Sequence, residues 1–325
     1  MVSQPVIRAK SPEVPVTAVV FDEPQAVSVR TLAMRPPGDG EVLIDAEWSG
    51  ISTGTEKLLY SGQMPPFPGL GYPLIPGYET VGRVSAVGEN TNFKVGDRVF
   101  VSGASCYGEI RGLFGGAASN MVVSEDKLIP VGDELQEKAI LMALAATAHH
   151  ALCVNGELGL PDLVVGHGVV GRLLARLTIA LGGMAPTVWE TNPARHDGAD
   201  GYRVLSPDNE RRHDYRRIID ASGDADVIDK VMPHLDKRGE IVLAGFYAAP
   251  VSFRFPPAFM REASFRIAAE WRRSDLSSVK SLVESGALSL DGLITHRVRA
   301  SDAQQAYNTA FTDAACLKMI LDWRN

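Results

Sequence analysis

The feature that most constrains this 325-residue chain is a glycine-rich run, Gly-His-Gly-Val-Val-Gly, between a predicted strand and a predicted helix. The strand covers Asp162–Val165, and the apolar spacing of Gly168–Leu181 is that of a helix. In such a unit the first glycine permits a tight turn, the second lets the backbone approach a pyrophosphate, and the third lets helix and strand pack closely. Free N–H groups at the start of the helix attract the phosphates. The residues predicted to bind a dinucleotide are Gly166, Gly168, Val169, Val170 and Gly171.

An acidic residue completes this predicted site. In dinucleotide-binding folds an acid about 20 residues after the loop, at the end of the second strand, binds the ribose hydroxyls. Glu190 follows the predicted strand Pro186–Trp189 and meets this requirement. A carboxylate there would repel a 2′-phosphate, so we expect NAD rather than NADP. Arg195 lies near enough in sequence to contact the cofactor as well, and an arginine near this position can accommodate a 2′-phosphate.

Strands and helices alternate around this loop. Further strands are predicted at Tyr215–Asp220 and Gly239–Ala244, with a helix at Ala225–His234 between them. Such alternation predicts an α/β fold of the Rossmann type, a doubly wound parallel sheet whose ligands lie beyond the carboxyl ends of the strands. The residues after these strands that we expect to contact the cofactor are Ser222, Gly245 and Phe246.

The earlier part of the chain predicts a β-rich domain. Short runs rich in β-branched residues are separated by Gly and Pro clusters. These runs are Thr17–Phe21, Glu41–Trp48, Val81–Val87 and Arg98–Val101. Helices are predicted at Glu134–His150, Ser274–Ser285 and Ala303–Thr312, and a final strand at Lys318–Leu321.

Composition excludes several classes of protein. The net charge of −7 argues against nonspecific nucleic-acid binding. No apolar run approaches the roughly 20 residues of a membrane span, and the first residues do not resemble a signal peptide, so we expect a cytoplasmic protein. Cys106, Cys153 and Cys316 are far apart, which argues against a disulfide framework or a cysteine-built zinc site.

Several motifs, taken in order, resemble those of the medium-chain dehydrogenase/reductase family. The resemblance runs from Thr17 to Trp323. The segments that carry it are 49–56, 76–82, 95–99, 293–296 and 318–321. It implies a flexible tail at residues 1–13, a GroES-like catalytic domain from residues 14–142 and 269–325, and a Rossmann NAD-binding domain at residues 143–268. It also implies a homodimer, and cofactor contacts at Thr147 and Lys318.

Four longer stretches resemble members of this family that act on chlorophyll-type tetrapyrroles. They are residues 50–56, 113–119, 144–150 and 255–262. This resemblance implies NAD-dependent oxidation of the 3-(1-hydroxyethyl) group of a chlorophyllide or bacteriochlorophyllide to a 3-acetyl group. Two alternatives stay open: an NADPH-dependent quinone or enoyl reductase, and a non-catalytic pigment-binding protein.

The positions that hold catalytic zinc in other members of the family carry different residues here. The resemblance aligns them with Ser52, Tyr78 and Ala143. Neutral serine and tyrosine are poor zinc ligands and alanine is none. We therefore predict no metal, so that a side chain must accept the hydroxyl proton as hydride leaves. The candidate catalytic residues are Ser52, Thr53, Tyr78, Glu79 and His150.

Three of these candidates also have a purely structural interpretation. Tyr78 can fill the volume of the absent metal, Glu79 can be a supporting acid, and histidines in an alanine-rich helix often only pack or cap. The residues that would line a substrate slot also have two interpretations. Aromatic and Met residues on Gly- and Pro-rich segments are candidates for its walls, with core packing as the alternative. They are Tyr60, Met64, Phe67, Tyr72, Tyr107 and Phe114.

Overall fold

The computed structural model describes residues 13–66, 68–154 and 159–324. The predicted N-terminal tail, apart from its last residue, and Phe67 lie outside the described residues. Within the described part of the chain, no helix is long and apolar enough to cross a membrane.

The β-strands, numbered along the chain, have the following bounds. They are β1 Val14–Glu23, β2 Ala26–Met34, β3 Glu41–Ile51, β4 Leu74–Ile75, β5 Thr80–Val87, β6 Arg98–Val101, β7 Arg111–Gly112, β8 Asn120–Ser124, β9 Leu128–Pro130, β10 Leu163–Val165, β11 Thr187–Trp189, β12 Arg203–Leu205, β13 Tyr215–Asp220, β14 Leu235–Leu243, β15 Ser264–Ile267, β16 His296–Arg299 and β17 Met319–Asp322.

The helices complete the list of elements. The α-helices are α1 Thr55–Ser61, α2 Met142–Cys153, α3 Val169–Ala180, α4 Val227–Val231, α5 Phe255–Arg261, α6 Arg273–Glu284 and α7 Ala303–Thr312. The 3₁₀ segments are Glu125–Lys127, Asp133–Leu141, Pro193–Arg195, Pro207–Asn209, Met232–His234 and Ala300–Asp302.

A parallel sheet occupies the second half of the chain, in the order β12-β11-β10-β13-β14-β15. Side chains alternate along its central strands. Val164 and Ile219 pack on one face in the core that includes α2 and α3, whereas Leu163 and Ile218 pack on the other face with α4. The order reverses between β10 and β13, which is the switch point where doubly wound folds bind ligands. The predicted Rossmann fold is confirmed.

The remaining strands form the predicted β-rich part. One sheet has the order β16-β17-β3-β5-β6-β9, with β8 also paired to β3, and another has the order β2-β1-β4-β7. Strand β3 lies between β17 and β5, antiparallel to both. This pairing brings chain segments far apart in sequence to one end of the sheet, which matters for the site described below. The predicted domain boundaries, after residues 142 and 268, fall where α2 begins and just after β15, and they stay a prediction.

The long helix predicted from Glu134 is wrong in its first half. Residues Asp133–Leu141 form 3₁₀ turns, and Gln136 interrupts them with a φ of 44°. Regular α-helix begins only at Met142. The apolar residues Leu135 and Ile140 face the core without a continuous helix, so their spacing reflects burial rather than helical periodicity.

A buried arginine ties the end of α2 to the parallel sheet. Arg217, on β13, is fully buried and pairs with Glu240 at 2.9 Å. Its Nη1 donates to the carbonyl of Leu152 at 2.8 Å, and its Nη2 to that of Ala151 at 3.4 Å. These carbonyls belong to the last turn of α2, where a cation opposes the negative end of the helix dipole.

We expect Arg217→Met to lower the free energy of unfolding by about 3–5 kcal/mol, because it leaves the buried α2 carbonyls without their donor and Glu240 with only its more exposed partner Arg266. Arg266→Met is the matched control. Arg266 pairs with the same Glu240 but is substantially exposed, so we expect a loss of at most about 1 kcal/mol. Urea unfolding of both variants measures the difference. Equal losses would contradict the assignment of Arg217 as the tie.

Candidate active site

The glycine loop has the geometry that its sequence predicts. Gly166 has a φ of +94°, in the region that favours glycine. A Cβ added to Gly171 would lie 1.8 Å from the carbonyl oxygen of Gly166, so helix and turn approach too closely for any side chain. A Cβ at Gly168 would meet nothing within 4 Å. The backbone there faces open space, and α3 begins at the next residue, Val169. The loop can therefore receive phosphate groups at the start of α3.

Glu190 stands beside this loop, at the end of β11. Its Oε2 accepts the backbone N–H of His167 at 3.0 Å, and its Oε1 accepts that of Asn192 at 2.8 Å. The carboxylate thus links the glycine loop to the turn after β11. Arg195 is directed elsewhere, since its Nε donates to the carbonyl of Ala314 at 3.0 Å.

The loops after β13 and β14 meet at the same edge of the sheet. A Cβ on Gly245 would lie 2.9 Å from the backbone nitrogen of Gly223, so the two loops are in close contact. Ser222 donates its hydroxyl to Asp220 at 2.6 Å, and Phe246 is largely exposed. Burial raises the pKa of Asp220, and the hydroxyls of Ser222 and Tyr247 oppose that shift. Ser222, Gly245 and Phe246 all lie at the predicted cofactor edge, and their contacts with a cofactor stay a prediction.

A second group of polar residues lies where β17, β3 and β5 end side by side. Lys318, before β17, is buried and donates to the carbonyl of Ile51, at the end of β3, at 2.9 Å. The Lys318 ammonium also forms an ion pair with Glu79. Glu79 lies just before β5 and is fully buried. Glu79 Oε1 has no hydrogen-bond partner among the described residues. Burial raises the pKa of Glu79, and Lys318 opposes that rise.

This arrangement defines the surroundings of Lys318 and explains one glycine. The Lys318 ammonium is buried against Glu79, and its contact with the cofactor stays a prediction. Gly50 leaves room for the pair. An added Cβ would lie 2.3 Å from Glu79 Oε2 and 2.9 Å from Lys318 Cε. Any larger residue at position 50 would therefore displace both charged groups.

Two hydroxyls lie beside this ion pair. The Tyr78 hydroxyl donates to Ser52 Oγ at 2.7 Å, and the ring of Tyr78 meets that of Phe114 edge to face, with centroids 5.5 Å apart. Burial and the nearby charge of Glu79 raise the pKa of Tyr78 well above its usual value. Tyr78 therefore stays a neutral phenol, which can pass a proton on but is not available as a phenolate base.

Two further residues of this site were missed by sequence reasoning. Glu56, in the first turn of α1, is fully buried; its Oε1 accepts the backbone N–H of Ser52 at 3.1 Å, and its Oε2 accepts the Tyr307 hydroxyl at 2.8 Å. Burial raises the pKa of Glu56 to about 7. We name Ser52, Glu56, Tyr78, Glu79, Tyr307 and Lys318 the acid cluster. Glu56 ends the motif segments 49–56 and 50–56, but its burial and role could not be predicted because its partner Tyr307 is 251 residues away.

The acid cluster does not fit the zinc ion that the fold family implies. Ser52 Oγ already accepts the Tyr78 hydroxyl, Glu79 is paired with Lys318, and Ala143 offers no ligand atom. Zinc in proteins is held by thiolate, imidazole and carboxylate groups. Across the residues that the structure describes, no group of three or more His, Cys, Asp or Glu side chains could hold a metal.

The structure does not bring the other predicted catalytic residues into the acid cluster. His150 Nδ1 lies 3.0 Å from Asp275 Oδ2, at the start of α6, and lines a surface pocket there. Thr53 is exposed. Thr147, predicted to contact the cofactor, is half-buried on α2 and donates its hydroxyl to Ala143 one turn earlier.

Most of the aromatic residues proposed for a substrate slot serve the core instead. Tyr60 packs on Phe21, Tyr72 donates its hydroxyl to the Leu59 carbonyl, and Tyr107 is buried with its hydroxyl 2.6 Å from the Gly115 carbonyl. Met64 is also buried in that core. Phe114 alone of the described candidates touches the acid cluster, through Tyr78.

Comparisons with known proteins agree with this architecture. Residues 38–133 match the family model described as alcohol dehydrogenase GroES-like domain. The chain superposes on the crystal structure of 2R,3R-butanediol dehydrogenase from Bacillus subtilis with a TM-score of 0.82 and 22% identity, covering 95% of this chain and 100% of that chain. A GroES-like domain joined to a doubly wound sheet is the architecture of an alcohol dehydrogenase-type oxidoreductase.

Two proteins named 2-desacetyl-2-hydroxyethyl bacteriochlorophyllide A dehydrogenase are much more similar in sequence. The one from Rhodobacter capsulatus is 54% identical, over 94% of this chain and 98% of its own length. The one from Cereibacter sphaeroides is 53% identical, over 95% of this chain and 98% of its own length. The chain therefore belongs to the medium-chain dehydrogenase/reductase family.

The acid cluster predicts a pH dependence of stability. A carboxyl whose pKa rises from 4.5 to about 7 on folding binds its proton more tightly in the folded state. Its contribution to stability is therefore complete below about pH 4.5 and is lost as the pH rises through 7. Because glutamine does not ionise, we expect the stability of Glu56→Gln to fall with rising pH by up to about 3 kcal/mol less than that of wild type. Urea unfolding between pH 5 and about pH 8 measures it. Glu89→Gln, on the surface, is the control, and parallel curves for wild type and Glu56→Gln would contradict the assignment.

Proposed function

We propose that this chain is a nicotinamide-dependent dehydrogenase of bacteriochlorophyll a synthesis. It oxidises the 3-(1-hydroxyethyl) group of a chlorophyllide or bacteriochlorophyllide to a 3-acetyl group. The observation that carries this proposal is the 54% identity to the Rhodobacter capsulatus dehydrogenase, which extends over 98% of that protein. The tetrapyrrole substrate follows from the names of the two relatives, and the acid cluster supplies the means to handle the proton of an alcohol.

NAD is the cofactor that the ribose side of the site favours. The Glu190 carboxylate stands next to the glycine loop, where it would accept hydrogen bonds from ribose hydroxyls and repel a 2′-phosphate. Arg195, the cation nearest in sequence that could have accommodated a phosphate, is bound to the Ala314 carbonyl. The bound nicotinamide would accept the hydride, and the chain must accept the proton.

The proton path begins at the two hydroxyls. Tyr78 donates to Ser52, so the phenolic oxygen keeps its lone pairs for the substrate hydroxyl. As hydride leaves the substrate carbon, the substrate proton moves to Tyr78, Tyr78 passes its own proton to Ser52, and Ser52 gives up its hydroxyl proton to the Glu56 carboxylate, which also accepts the Ser52 backbone N–H. Glu56 and Glu79 are two carboxyls against one ammonium, Lys318. When both carboxyls are ionised, their negative charge exceeds the positive charge of the ammonium, so uptake of a proton by the cluster is favourable near neutral pH.

Such a mechanism needs no zinc. In zinc enzymes the metal lowers the pKa of the bound alcohol. Here the hydroxyl carbon of the substrate is attached to a conjugated macrocycle, which stabilises the charge that develops as hydride leaves. Less electrostatic assistance from the protein then suffices.

The decisive test follows absorbance of the purified chain incubated with hydroxyethyl bacteriochlorophyllide and NAD. We expect NADH to form together with a red shift of the pigment band, without added zinc and with no loss after treatment with a chelator. We expect Tyr78→Phe to lower kcat at least tenfold, which is about 1.4 kcal/mol in the barrier. Tyr72→Phe, which removes a hydroxyl bound only to the Leu59 carbonyl, is the control, and we expect its kcat to stay within about twofold of wild type.

Three results would overturn parts of this proposal. Clear preference for NADP over NAD would reject the cofactor and favour the reductase alternative. Stoichiometric zinc, required for turnover, would reject the mechanism. Pigment binding without any NADH formation would favour a non-catalytic pigment-binding protein.

We also propose that the chain is a homodimer that pairs through β15. This strand is at the edge of the parallel sheet, and the unpaired groups of an edge strand can pair with a second copy. Large exposed apolar side chains surround it, with exposed fractions of 65–77%. They are Phe255, Phe259, Met260 and Ile267. Apolar patches of this kind mark interfaces, and a two-fold axis makes one patch self-complementary.

Analytical ultracentrifugation tests this assembly. We expect wild type to sediment as a dimer and Ile267→Asp to sediment as a monomer, because the substitution places a charge in the apolar interface. Val95→Asp changes an equally apolar but separate exposed residue, and we expect it to leave the dimer intact. A monomeric wild type, or a dimeric Ile267→Asp, would reject the proposal.

A further inference from the structure

A nucleophile, a base and an acid meet at the end of α2, outside the acid cluster. Cys153 Sγ lies 3.7 Å from Nε2 and 3.8 Å from Nδ1 of His149, one helical turn earlier. His149 Nδ1 is 2.8 Å from Oδ1 of Asp275, near the start of α6. Asp275 is held in turn by the backbone N–H of Arg272 at 2.8 Å. A thiol beside an imidazole that a carboxylate orients is the arrangement of an activated cysteine.

The sulfur is open to small molecules. Cys153 is exposed, whereas Cys106 is half-buried and Cys316 is buried. Cys153 lines a pocket of about 310 Å³. The pocket is also lined by His149, His150, Val154, Arg272, Ser274, Asp275 and Ser278. A reagent of a few atoms can therefore reach Cys153 from solvent without any movement of the core.

His149 and Arg217 are basic side chains near the sulfur. Asp275 binds Nδ1 of His149, and Nε2 is the ring nitrogen without a carboxylate partner and is 3.7 Å from the sulfur. The contact with Cys153 and the Asp275 carboxylate raise the pKa of His149, against the opposite effect of burial. Arg217 is close enough to Cys153 to interact with it electrostatically.

We propose that Cys153 is a modification site whose thiol is oxidised by hydroperoxides with His149 as the base. The thiol proton moves to His149 Nε2 as Sγ attacks one oxygen of hydrogen peroxide. A sulfur–oxygen bond forms, the oxygen–oxygen bond breaks, and the departing hydroxide takes the proton from His149 as water. The cysteine is oxidised by two electrons to a sulfenic acid and the peroxide is reduced. This proposal does not depend on the substrate or cofactor proposed above.

The experiment treats the full-length chain with hydrogen peroxide, traps sulfenic acid with dimedone and measures each cysteine by peptide mass spectrometry. Exposure alone would make Cys153 react faster than the other two cysteines. The oxidation rate of native Cys153 is therefore compared with that of Cys153 in the urea-unfolded chain. We expect native Cys153 to react at least tenfold faster than unfolded Cys153. We expect His149→Gln to lower the native rate at least tenfold, and Asp275→Asn to lower it less.

His150→Gln is the matched control, because His150 shares Asp275, whereas the sulfur contacts in the described structure are with His149. We expect it to leave the rate of Cys153 oxidation unchanged. The proposal is rejected if native Cys153 reacts no faster than the unfolded chain, or if folded His149→Gln reacts as fast as wild type. The comparison of native with unfolded wild type decides the question even if the His149 variant does not fold.

Discussion

The ion pair between Glu79 and Lys318 is the contact on which the candidate catalytic chemistry depends. It joins the chain just before β5 to the chain just before β17, across the end of β3. Both groups are buried, so each needs the other to stay charged. Gly50 is glycine because the pair lies where its side chain would be. Ser52 and Tyr78 are placed by the strands that the pair draws together.

Around this pair the protein has built an acid–hydroxyl network at the place where related enzymes hold a metal. A zinc ion concentrates two positive charges at one point. In the acid cluster, the proposed proton transfer is instead shared by two hydroxyls, two carboxyls and one ammonium. Hydrogen bonds of ordinary length hold these groups in place. In the mechanism proposed above, the network suits a substrate whose own conjugation shares the charge.

The sequence predicted the parts of this molecule that are local and missed those that depend on distant partners. The glycine loop, Glu190 and the alternating strands are signals within a few dozen residues, and the structure has the predicted sheet. Glu56 escaped notice because its partner Tyr307 is on another helix. His150 was favoured for its chemistry, but the face of α2 on which it lies is set by packing against α6, which no local pattern reveals.

The contact between Arg195 and Ala314 has a consequence for how this enzyme can evolve. Arg195 follows the turn proposed to bind the ribose, and Ala314 lies in the segment that leads into Lys318 and β17. The part of the chain proposed to select the cofactor is therefore bonded to the part that carries the buried ammonium. Under that proposal, a substitution of Arg195 that changes the choice of cofactor also removes a hydrogen bond from the segment before Lys318, so the two properties are expected to change together.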